Sequence, residues 1–65
     1  MIEQLTPRER TIVAQLGEGK SVKGIAEALG LKESSVRQYM VVLRDKTGMT
    51  ARQIGCAVAR GELEP

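Results

Sequence analysis

A chain of 65 residues without a single histidine lacks the side chain that most often moves protons near neutral pH. The candidate nucleophiles that stand out are Cys56, the lone cysteine, and the adjacent Ser34 and Ser35. None has a histidine base to activate it, so Ser-His-Asp and Cys-His chemistry are excluded. One cysteine cannot close an intramolecular disulfide, and with no histidine a structural zinc site lacks ligands. No metal and no cofactor is therefore expected. The chain is also short for a substrate cleft with its scaffold, and the expectation is one domain over residues 1–65 that binds and is not an enzyme.

The chemistry that remains is electrostatic. Between residues 20 and 52, seven bases (Lys20, Lys23, Lys32, Arg37, Arg44, Lys46, Arg52) stand against three acids (Glu27, Glu33, Asp45). Each flank carries one more acid than base, so the whole chain nets only +2. A basic centre of this kind is a candidate nucleic-acid surface, although a solvated mixed-charge surface has the same composition. No apolar run approaches the roughly 20 residues that span a bilayer. Met1-Ile2-Glu3-Gln4 also lacks the basic start of a signal peptide. With a free thiol, these features make a cytoplasmic protein away from membranes the expectation.

Helices must position the bases. Thr6-Pro7-Arg8-Glu9 combines a Thr N-cap, a proline where its missing N–H costs nothing, and a glutamate that closes a capping box. It opens a helix over about 7–16 with Ile12, Val13 and Leu16 as its buried stripe and Leu5 as a staple; Gly17 and Gly19 end it. Ser21 starts a second helix over about 21–29, carrying Ile25, Ala26 and Leu29 and stopped by Gly30. A third runs over about 33–47 and ends at Gly48. At about 100° per residue, Val36, Met40, Leu43 and Thr47 share its inner side, and Ser34, Gln38, Val41, Val42 and Asp45 its outer side. Arg37 and Arg44 lie on one shoulder, Tyr39 and Lys46 on the other. Thr50-Ala51-Arg52-Gln53 is a second capping box, opening a fourth helix over about 51–60 with Ile54, Ala57 and Val58 as its apolar stripe and Gly61 as its end. Nothing alternates with period two, so the fold class is all-α.

The short second helix, the tight Gly30-Leu31 connection and the long third helix inside a basic segment make a helix-turn-helix pattern. The residues Leu5-Thr6-Pro7-Arg8-Glu9-Arg10, Gly19-Lys20-Ser21, Lys23, Ile25-Ala26-Glu27, Leu29-Gly30 and Ser35-Val36-Arg37 closely resemble the LuxR-type (LuxR/GerE/FixJ) DNA-binding domain over about residues 4–60. Sigma-factor region 4 shares the helix-turn-helix but not so close a match to the helix after Gly48. The resemblance implies a bacterial transcription regulator: a four-helix domain whose third helix enters the major groove of double-stranded DNA and whose fourth is a dimer contact.

Carried onto this chain, the family's usual Lys or Arg is Arg37, able to pair two donors with guanine or to clamp a phosphate. Gln38 beside it could bond the N6/N7 edge of adenine, or simply be an exposed polar residue. Lys20, Ser21 and Lys23, with Thr6 and the first-turn N–H groups, are placed to hold phosphates. Tyr39 stands where the family often has His; its hydroxyl could reach a phosphate, or its ring could pack at the helix edge. Ser34, Ser35, Arg44 and Lys46 complete the candidate DNA contacts.

The departures count too. Val41 takes a place that is often polar or basic, with Val42 beside it, and the pair could touch thymine methyl groups or bind a protein partner such as another regulator or RNA polymerase. Arg44 and Thr47 replace usually apolar residues, which thins the core between helices 3 and 4. Gly24 removes a capping-box partner for Ser21, and Lys32 replaces the usual serine cap of helix 3. Ile54, Cys56, Ala57 and Val58 make helix 4 more apolar than a monomer's surface needs, so the expectation is a weak homodimer, one that DNA could hold together. The other reading puts Ile54 and Val58 in the monomer core. Cys56 is expected to be a small buried hydrophobe. The chain reads as an output domain cut from a larger regulator or as a stand-alone one.

Overall fold

The computed structural model describes residues 5–64; Met1 to Gln4 and Pro65, and with them the signal-peptide reading, lie outside the described residues. Four helices follow in order, α1 (Pro7–Gly17), α2 (Val22–Leu29), α3 (Glu33–Thr47) and α4 (Ala51–Ala59), with no strand among the described residues. The fold is all-α, as the sequence indicates. No helix among the described residues is long and apolar enough to cross a membrane.

Local chemistry sets the ends. The Thr6 hydroxyl accepts from the Glu9 N–H at 3.2 Å while the Glu9 carboxylate accepts from the Thr6 N–H at 2.8 Å, and Thr50 with Gln53 repeats this exchange at 3.2 and 2.9 Å. Ser21 caps α2 from one side only, accepting from the Gly24 N–H at 3.1 Å, because Gly24 has no side chain to return the bond. Lys32 gives α3 no side-chain cap. Gly30 and Gly48 close α2 and α3 at φ of 68° and 73°, a left-handed conformation that glycine adopts without penalty.

Helices of 8 to 15 residues are marginal alone, so tertiary packing holds them. The core is Leu5, Ile12, Val13, Ile25, Ala26, Val36, Leu43 and Ile54, drawn from every helix and from the staple before α1. α1 and α4 form the most extensive helix pair. Their backbones approach so closely that a Cβ on Gly55 would stand 2.7 Å from the Leu16 carbonyl oxygen. Gly17 lies inside α1, one residue past the expected end, and Val58 of α4 packs against its bare Cα, where a Cβ would collide.

Two sequence expectations change here. Ile54 is 1% exposed and belongs to the core, and half-buried Val58 packs on that core, so neither is free for a second copy. Cys56 is exposed, not buried, because it lies about 200° around α4 from Ile54. Thr47 is half-buried and Arg44 exposed, and α3 packs only lightly on α4, in keeping with the thinned core; the Thr47 hydroxyl donates to the Leu43 carbonyl at 2.7 Å and accepts from the Met49 N–H at 3.1 Å.

The capping glutamate does a second job. Glu9 is only 4% exposed, and its carboxylate accepts at 2.8 Å from the Lys46 ammonium, which arrives from the last turn of α3. The Lys46 hydrogen bond above all, then the Thr6 N–H, hold this carboxyl below its ordinary value of about 4.5, against the opposing effect of burial.

Two outcomes follow from this packing. Gly55→Ala should destabilise the domain by about 1–3 kcal/mol, because the methyl meets backbone and no side chain can swing away; an unchanged melting temperature would refute the close approach. The carboxyl of Glu9 is more acidic folded than unfolded, so its contribution is full above about pH 4.5 and is lost as pH falls through the lower, folded value. Acid melting curves of Glu9→Gln should therefore fall less steeply below that pH than those of the parent; parallel curves would mean the pair contributes nothing.

Candidate nucleic-acid interface

Val36 and Leu43, both 0% exposed, clamp one side of α3 into the core, with Tyr39 and Met40 half-buried beside them. Seven residues apart, they fix the rotation of the helix about its own axis. The other side is thereby turned out, leaving Ser34, Arg37, Gln38, Val41, Val42, Arg44 and Asp45 exposed. Val41 is 62% and Val42 40% exposed, the large apolar side chains that burial leaves over among the described residues.

This outward face has two halves. Toward its N-terminal end, Ser34, Ser35, Gln38, Tyr39 and Val42 gather with Leu31 of the preceding turn around an open hollow of about 450 Å³. Hydroxyls, an amide and apolar walls meet there, and four of the expected contact residues are brought together. The Tyr39 ring packs against the core, as the edge-packing reading had it. Arg37, Val41 and Arg44 do not line the hollow and lie around the helix from it. The Arg37 guanidinium stands 3.4 Å from the Glu33 carboxylate one turn back, both side chains exposed. Such a pair contributes little and is easily exchanged for another anion.

The remaining cations divide. Lys20 is 3.6 Å from Glu18 in an exposed pairing, and Lys23 is exposed. Thr6 and Ser21 are exposed caps whose hydroxyl oxygens accept from backbone N–H groups, which leaves each hydroxyl proton to donate outward. Lys46, expected among the DNA contacts, has its ammonium 2.8 Å from the buried Glu9 carboxylate while its side chain stays partly exposed. On α4, exposed Cys56 and half-buried Ala57 are what remain of the expected dimer contact.

Sequence reasoning missed the Glu9–Lys46 pair, yet a signal was present. Glu9 falls on the inner stripe with Ile12, Val13 and Leu16, where a carboxylate needs a cation. Gly55 was also overlooked as the contact point of two helices.

No curated protein and no solved structure matches the chain significantly. The family model described as bacterial regulatory proteins, luxR family, matches residues 3–58, most of the chain's length. Its four helices with α3 turned outward agree with that match, and the chain belongs to the LuxR family, whose helix-turn-helix domains are those of DNA-binding transcription regulators.

Proposed function

We propose that the chain binds double-stranded DNA with sequence preference, as a transcription regulator, by setting the outward face of α3 into the major groove. The observation that carries this reading is the orientation of α3: Val36 and Leu43 are sealed in the core, Gln38 stands in solvent on the far side and Arg37 in solvent on the adjoining shoulder. At about 1.5 Å per residue the helix is long enough to lie across several base pairs, and the major groove is wide enough to admit it.

In this reading Arg37 leaves Glu33 and pairs its two donors with guanine O6 and N7, and Gln38 bonds adenine N6 and N7. The Thr6 and Ser21 hydroxyls, Lys20 and Lys23 hold phosphates, joined by Ser34, Ser35, Tyr39 and Arg44 along α3. These contacts fix register and orientation, and the base edges supply preference. Cys56 and Ala57 of α4 provide a small contact for a second copy, too small for a stable dimer in solution, so two chains pair when DNA holds them side by side. The protein binds DNA without chemical turnover.

Arg37→Ala should weaken binding to a selected duplex by about ten- to a hundredfold, the range for losing one bidentate contact, and should relax preference at a single guanine. Fluorescence anisotropy with the selected duplex and its single-base variants reads both effects, and titration at high concentration should count two chains per palindromic duplex. Unchanged affinity and preference would remove Arg37 from base reading, and one chain per duplex would remove the paired arrangement.

A further inference from the structure

Two valines side by side on the outward face of α3 take no part in the core formed by the described residues. Val41 and Val42 are 62% and 40% exposed, and the core is complete without them. They stand three and four residues after Gln38, one turn farther along the same face, which is about 4.5–6 Å along the axis. That distance is one to two base pairs of B-DNA at about 3.4 Å each. Val42 also shares with Gln38 the hollow at the N-terminal half of the helix.

From this placement we infer that Val41 and Val42 read thymine, packing their methyl groups against C5-methyl groups next to the base pair that Gln38 contacts. The inference rests on the proposed seating of α3 in the major groove. A valine neither donates nor accepts a hydrogen bond, and the one apolar feature on a major-groove base edge is the thymine methyl. Pressed instead on the N7 and O6 of guanine or the amino group of cytosine, a valine strips water from polar atoms and returns nothing. Gln38 suits adenine, so the neutral part of the face selects A·T pairs, and Arg37 on the adjoining shoulder selects guanine. Two valine side chains are a small fraction of the about 800 Å² per partner of a standard protein interface, which favours methyl groups over a protein as the occupant.

The test replaces thymine by deoxyuridine, which removes the methyl and keeps every hydrogen-bonding atom. A preferred duplex is selected from a random pool with the full chain, and each thymine in it is exchanged singly while affinity is read by anisotropy. At one or two positions the exchange should weaken binding about fourfold, the value of one buried methyl. Val41→Ala and Val42→Ala, both exposed and expected to fold normally, should abolish that sensitivity. If affinity is indifferent to every exchange while salt-dependent, sequence-preferring binding persists, thymine reading is overturned and the DNA-binding reading stands. A pool that yields no preferred sequence overturns it as well. Folded protein that binds no duplex overturns both readings and leaves the valine pair to a protein partner.

Discussion

A buried carboxylate ties the first helix of this domain to the longest one. Glu9 is taken almost entirely out of water, which costs several kcal/mol unless the charge is met, and the Thr6 N–H and the Lys46 ammonium meet it at 2.8 Å each. Because Thr6 and Glu9 open α1 and Lys46 closes α3, one small cluster ties the start of the first helix to the end of the longest. Val36 and Leu43 then fix the rotation of α3 about its axis. Tether and rotation together decide which side chains face outward, so the candidate DNA surface is a consequence of what the core demands.

The rest of the fold supports that arrangement. α1 and α4 pack backbone to backbone through Gly55, with Val58 over Gly17, and α2 packs mainly on α3. A domain this small has little apolar area to spare, and packing without a Cβ lets two short helices share what there is. Lys46 meets the buried Glu9 charge although it sits in a basic segment. The exposed part of that segment is correspondingly less positive than its composition suggests.

Much of this was legible in the sequence, for local reasons. Thr6-Pro7-Arg8-Glu9 and Thr50-Ala51-Arg52-Gln53 predict capping boxes because every partner lies within three residues, and both form. The inward stripe of α3 follows from period alone. What sequence could not place depends on a neighbouring helix. Ile54 and Val58 form a stripe on a short helix, and a stripe does not say whether it faces the core or a second copy. Lys46 looks like a free cation because its partner lies 37 positions away. Gly55 looks like a poor helix former until the Leu16 carbonyl is seen against it.

The central claim, that the outward face of α3 docks on DNA, is met most directly by titrating the chain against a mixed-sequence duplex by fluorescence anisotropy at several salt concentrations. Phosphate contacts release counterions, so the account requires the logarithm of affinity to fall linearly with the logarithm of salt, with a slope of about −0.9 for each phosphate neutralised. A slope corresponding to several phosphates is the expected result. No binding at low salt by folded protein at high concentration would contradict it.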